Sequence, residues 1–204
     1  MHPNPVYHTA ADAQNLGYAR DRGFGILAVC FEDAPLMSHV PFIIAEDGKS
    51  LDLHLVRSNP IARALKSPLQ ARIAVSGPDS YISPDWYEVP DQVPTWNYVA
   101  VHLTGTLEMR PQEELLDLLD RQSALFEARL DPKPRWTTGK MDADALAKMM
   151  RMIVPCRMQI ASVDGTWKLS QNKPDDVRLR TADYVESYGL GAEIQLLAAL
   201  MRGA

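Results

Sequence analysis

The stretch that decides the fold runs from Gly25 to Pro60 and reads GILAVCFEDAPLMSHVPFIIAEDGKSLDLHLVRSNP. Gly25 to Phe31 is a continuous apolar run, Val40 to Ala45 is another, and Leu51, Leu53 and Leu55 alternate with Asp52, His54 and Val56. Short apolar or alternating runs bounded by polar turn residues read as strands. Between the second and third lies Glu46-Asp47-Gly48-Lys49, good hairpin chemistry because glycine reaches the left-handed backbone that a tight turn requires. Three strands in such quick succession predict an antiparallel meander. It stops at Asn59-Pro60, where asparagine suits a helix cap and proline suits the first helical position, so a short helix is expected to about Lys66.

Outward from this block, Asp12 precedes a weak helical pattern that ends at Gly23. Ala71 to Ser76 and Asn97 to Leu107 read as further strands. In the latter, Val99, Val101, Leu103 and Leu107 share one face and Tyr98, His102 and Thr104 the other, so one face is expected to be core and the other site or interface. Pro111 opens the clearest helix, with Glu113 and Glu114 at its positive end and a stripe of Leu115, Leu118, Leu119, Gln122, Leu125 and Phe126. A second helix is expected from Asp142 to Ile153, with Leu146, Met149, Met150 and Ile153 inward and Pro155 ending it. A last strand from Arg157 to Val163 is expected to turn through Asp164-Gly165, and helices over 182–188 and 192–201 follow. Many short strands, surface helices and no regular strand–helix alternation predict a mainly β chain with peripheral helices (α+β), a small barrel rather than a doubly wound sheet.

The 204 residues suit a single domain, and 46% hydrophobic with 23% charged residues is the balance of a folded globular chain. A net charge of -5 and a pI near 5.5 lack the basic footprint of phosphate-backbone binding, which counts against direct contact with nucleic acid. No apolar run approaches the roughly 18 residues of a membrane span and no secretory leader is visible, so a cytoplasmic location without membrane association is expected. Cys30 and Cys156 stand far apart in apolar surroundings and read as buried free thiols. Isolated histidines predict no metal site, and no nucleotide-binding glycine fingerprint or nucleophile elbow is present.

Chemistry concentrates in three places. His54-Leu-Val-Arg57-Ser58-Asn59-Pro60 hands a strand to a capped helix, where free amides, a hydroxyl and a guanidinium could hold a phosphate, although a plain cap and a solvated arginine explain the same residues. Tyr81-Ile-Ser83-Pro-Asp-Trp86-Tyr87 and Val93-Pro-Thr95-Trp96-Asn97-Tyr98 set rings beside hydroxyl and amide groups, which suits a planar ligand as well as a filled core. Lys168-Leu-Ser-Gln171-Asn172-Lys173 is dense in donors and reads either as a ligand loop or as an exposed polar turn.

Taken in order, His39-Val-Pro-Phe42, His54 to Pro60, Gly77-Pro78 into Tyr81 to Tyr87, Val93 to Tyr98 with Val101-His102 and Gly105, and Lys168 to Asn172 resemble the PaiB-like family of FMN-binding negative transcriptional regulators. The resemblance implies a flavin-type split β-barrel over 1–204, with about 1–110 and 155–173 as barrel core and 111–154 and 174–204 as peripheral helices. It implies a homodimer with one FMN at each subunit interface. Arg57, Ser58 and Asn59 become candidates for the phosphate side, with His54 on the same strand; Tyr81, Ser83, Trp96 and Asn97 become candidates to line the flavin, and Lys168, Gln171 and Asn172 to approach from a neighbouring loop or the partner subunit. Leu53 stands where the family usually has glycine, Ser76 where a larger apolar residue is common, and Asp85 where serine is usual. The expected output is regulatory; the alternative is an FMN-dependent oxidoreductase acting on a small molecule, with no catalytic residue assigned and the cofactor carrying the electrons.

Overall fold

The computed structural model describes all residues, Met1 to Ala204. Its helices are α1 (Asp12–Arg22), α2 (Pro60–Ala64), α3 (Leu115–Glu127), α4 (Ala143–Met150), α5 (Asp175–Tyr188) and α6 (Ile194–Arg202). Its strands are β1 (Phe24–Phe31), β2 (Ala34–Ile44), β3 (Ser50–Val56), β4 (Leu69–Ile82), β5 (Thr95–Met109) and β6 (Ile153–Lys168), and they close a barrel in the order β1-β2-β3-β6-β5-β4. The chain divides into two compact units, one of residues 1–18, 75–102 and 163–204, the other of 19–74 and 103–162; β4, β5 and β6 each pass from one to the other.

The unit of 19–74 and 103–162 contains the expected meander. Phe24 pairs with Pro41 and Phe31 with Ala34, Phe42 pairs with Leu53, and Ser50 pairs with Gln159, all antiparallel. The hairpin forms as the sequence indicates: Gly48 has φ 71, its amide donates to the Ala45 carbonyl at 3.0 Å, and Asp47 accepts from the Lys49 amide at 3.0 Å. Leu27, Phe42, Leu51, Leu53, Ile73, Leu103, Leu107 and Met158 are wholly buried and form its core. Leu53, a departure from the family pattern, is thus core filling. Helix α3 buries Leu115, Leu118 and Gln122, and Arg121 reaches Asp52 at 3.0 Å, where Arg157 also makes contacts of 2.6 and 3.0 Å. The close approach of β5 to β6 depends on Gly105, because a Cβ there would lie 1.8 Å from the Gln159 carbonyl oxygen.

In the unit of 1–18, 75–102 and 163–204, Ile82, Tyr87, Val99, Trp167, Leu169, Val177, Val185, Leu197 and Met201 share one apolar cluster. The Trp167 indole donates to Asn15 Oδ1 at 2.8 Å, so the largest ring of the cluster is buried with its polar atom satisfied.

Four expectations change. No turn forms at Asp164-Gly165: β6 runs on to Lys168, and a Cβ on Gly165 would meet Asn15 Oδ1 at 2.0 Å, so this glycine makes room within a strand. Pro155 does not end a helix but pairs with His54 inside β6; α4 stops earlier, at Met150. Met149, expected inward, is 58% exposed. Cys30 is exposed, and only Cys156 is the buried thiol expected of both; burial pushes its pKa up to about 12.

Candidate functional site

Strand β5 alternates strictly, with Asn97, Val99, Val101, Leu103, Gly105 and Leu107 buried and the residues between them more open. This period of two separates Trp96 from Asn97. Trp96 is 46% exposed and meets Tyr81 of β4 edge to face, ring centroids 6.2 Å apart. Asn97 is buried; its Nδ2 donates to Ser170 Oγ at 2.8 Å and lies 3.5 Å from Met201 Sδ, while Oδ1 has no partner. Ser83 sits half-buried just ahead of a 3-10 turn, Pro84–Tyr87, that delivers Tyr87 inward; Asp85 in that turn is exposed.

Thr95 and Asn97, Lys168, Ser170 and Asn172, and Lys173 meet Tyr7 and Tyr87 around a polar pocket of about 200 Å³ that lies wholly in the unit of 1–18, 75–102 and 163–204. Lys168 Nζ donates to Thr95 Oγ1 and stands 5.8 Å from the Tyr7 ring centroid. Lys173 Nζ donates to Gln92 Oε1 and stands 4.7 Å over the Tyr87 ring. Both ammonium groups therefore face aromatic π-clouds, which hold a cation without neutralising it. Burial lowers the pKa of Lys168 and raises those of Tyr7 and Tyr87, the last partly offset by a bond to Ser170. Asp91 is the carboxylate on the rim.

Gln171 does not line this pocket but braces it. Its Oε1 accepts from the Leu169 amide at 2.8 Å and its Nε2 donates to the Trp167 and Val6 carbonyls at 2.6 and 3.2 Å. The tie to Val6, with His8 Nδ1 3.2 Å from Asp164, brings Tyr7 to the pocket wall. Sequence reading singled out Asn97, Lys168 and Asn172, three of the pocket residues. Ser170 and Lys173 stood within the donor-rich run without an assigned role of their own, and Tyr7 is brought there by tertiary packing alone.

His54, Arg57, Ser58 and Asn59 belong to the other unit. Asn59 caps α2 by accepting from the Ile61 amide at 2.9 Å, and its Nδ2 donates to Ser38 Oγ at 3.0 Å. Arg57 is exposed, with Nε donating to the Arg151 carbonyl at 2.8 Å and Nη2 to Gln112 Oε1 at 2.6 Å; Ser58 is exposed beside it. His54 is half-buried against Gln122 of α3, its Nδ1 has no hydrogen-bond partner, and burial lowers its pKa, the Gln122 bond opposing.

Comparison with known proteins bears on what these features serve. The model of a family described as "Putative FMN-binding domain" matches residues 1–162. The Bacillus subtilis protease synthase and sporulation protein PAI 2 is 27% identical over 172 residues, 83% of this chain and 82% of that one. The FAD and heme binding protein from Mycobacterium smegmatis superposes with a TM-score of 0.59 at 16% identity, over 91% of this chain and 82% of its own. The flavocytochrome Anf3 from Azotobacter vinelandii gives a TM-score of 0.50 at 15% identity, over 81% and 74%. At these identities the two structures speak for the fold, that of the flavin-binding split barrel.

Proposed function

This chain belongs to the FMN-binding domain family, and from that premise we propose that it is a PaiB-type regulator, a homodimeric split barrel that holds FMN and whose output follows the state of the flavin. The observation that carries the reading is convergence: the aromatic stretches around Tyr87 and Thr95-Asn97 and the Lys168 to Lys173 run, separated by about seventy residues of sequence, meet at one cationic pocket and are joined by the buried Asn97–Ser170 bond. The residues present fit a flavin. The pocket offers ammonium and hydroxyl donors to a phosphate or to ring carbonyls, and the exposed Tyr81–Trp96 pair offers an apolar ledge to a flat ring.

In this reading Lys168, Asn97 and Asn172 contact the flavin directly, Gln171 positions the loop that carries them, and Tyr81, Ser83 and Trp96 form the ring-side surface. Arg57, Ser58, Asn59 and His54 are the counterpart group of the second unit, which the partner subunit's flavin would meet. FMN, when bound, supplies one- or two-electron transfer; this chain's residues bind and orient it. The whole chain works as one domain. Support for a regulatory output comes from the Bacillus subtilis relative, whose name connects it with protease synthesis and sporulation rather than with a substrate. Free rather than paired cysteines agree with a cytoplasmic setting, and no helix is long and apolar enough to cross a membrane.

Sedimentation of the purified protein with and without FMN tests the assembly. A dimer carrying one flavin per chain is expected; a flavin-loaded monomer would contradict it.

A further inference from the structure

The pocket of Lys168 and Lys173 is too small for a whole flavin nucleotide: sites for ligands of that size run to about 300–1,000 Å³, against about 200 Å³ here. A pocket of this size and lining suits one charged end of a ligand. Two ammonium groups face it with a single carboxylate, Asp91, on the rim, so the lining carries a net positive charge. Each ammonium has three N–H donors. Lys168 has its contact with Thr95 and Lys173 its contact with Gln92, which leaves donors on both, and Ser170 lines the same pocket.

The other basic candidate is weaker. Arg57 is engaged with the Arg151 carbonyl and Gln112, Asn59 is consumed by its cap and Ser38, and α2 is only five residues long, too short to present the field of a helix end. We propose that Lys168 and Lys173 form an oxyanion site, complete within one chain, for a phosphate or carboxylate group. This deepens the flavin reading, on which one source of the oxyanion rests: FMN's own phosphate, or a separate small phosphate or carboxylate ligand.

The test uses the full chain stripped of flavin and then reloaded, with the Lys168→Gln and Lys173→Gln variants, which keep the stem of the side chain, and Lys148→Gln, an exposed lysine of α4, as control. Thermal melts confirm that each variant folds; either lysine alone suffices for the test. Dissociation constants are measured for FMN, for riboflavin, which lacks the phosphate, and for inorganic phosphate and acetate on protein with and without flavin. If FMN's phosphate is the occupant, FMN binds at least about tenfold more tightly than riboflavin and variants of Lys168 and Lys173 erase that margin, while Lys148→Gln keeps it. If the oxyanion is a separate ligand, the variants of Lys168 and Lys173 leave both flavins alike but abolish binding of phosphate or acetate to the flavin-loaded chain. Phosphate binding through the lysines in a chain that takes neither flavin would uphold the oxyanion site and defeat the flavin reading. Flavin binding that ignores the phosphate and both lysines, with no binding of phosphate or acetate, overturns the inference and leaves the flavin reading standing.

Discussion

Asn97 and Trp96 are neighbours in sequence and occupy opposite faces of β5, one sealed against Ser170 and the other open beside Tyr81. The two-residue period made that separation readable, yet both residues fell into one candidate set because ring and amide chemistry drew attention before geometry did. Replacing Asn97 by alanine removes a buried donor and leaves the Ser170 hydroxyl with one partner fewer, so a loss of about 1–2 kcal/mol is expected by urea denaturation, with weaker FMN binding. Unchanged stability and affinity would remove Asn97 from the site. His54 makes a second prediction at this scale. Its folded pKa lies below the ordinary 6.5, chiefly through burial, so below pH 6.5 the unfolded chain binds the extra proton first. Its share of the stability is therefore intact above pH 6.5 and declines as pH falls toward the folded value. His54→Gln should flatten the denaturation midpoint between about pH 7 and about pH 5; an equally steep fall in the variant would assign the dependence elsewhere.

Among the elements, β1, β2, β3 and α2 were legible because each carries a local signal: apolar runs, the Gly48 hairpin, the Asn59 cap. Strand β6 was legible only in its middle. Its start holds Pro155 and its end holds Gly165, both of which read locally as breaks, while their reasons are tertiary: Pro155 is buried opposite His54, and Gly165 admits the Asn15 side chain. Gly105 is the same phenomenon at the β5–β6 contact, where Gly105→Ala should cost about 3 kcal/mol because the new methyl overlaps backbone that cannot swing aside. A melting temperature within a degree or two of the parent would show that the strands separate freely. Asp52 ties β3 to β6 and α3 through Arg157 and Arg121. Burial alone would raise its pKa, but the bonds from the two arginines prevail and hold it below the usual carboxylate value. Asp52→Asn leaves two guanidinium groups facing a neutral amide, with an expected loss of about 3 kcal/mol in thermal or urea unfolding. A variant as stable as the parent would mean the arginines find other partners.

For the whole molecule, the mainly β barrel with outer helices was readable from strand spacing, and the split-barrel identity from five ordered motifs taken together. The pocket was readable only in part. Residues 95–97 and 168–173 announced themselves by composition, whereas Tyr7 reaches the wall through the Gln171–Val6 and His8–Asp164 contacts, which no local pattern encodes. The central claim is that this fold holds FMN. Titration of the flavin-free chain with FMN, followed by flavin fluorescence and visible absorption, tests it most directly. A saturable change at about one flavin per chain with a dissociation constant near or below about 1 μM, weakened by Lys168→Gln, is the expected result; no spectral change up to about 1 mM FMN would contradict it.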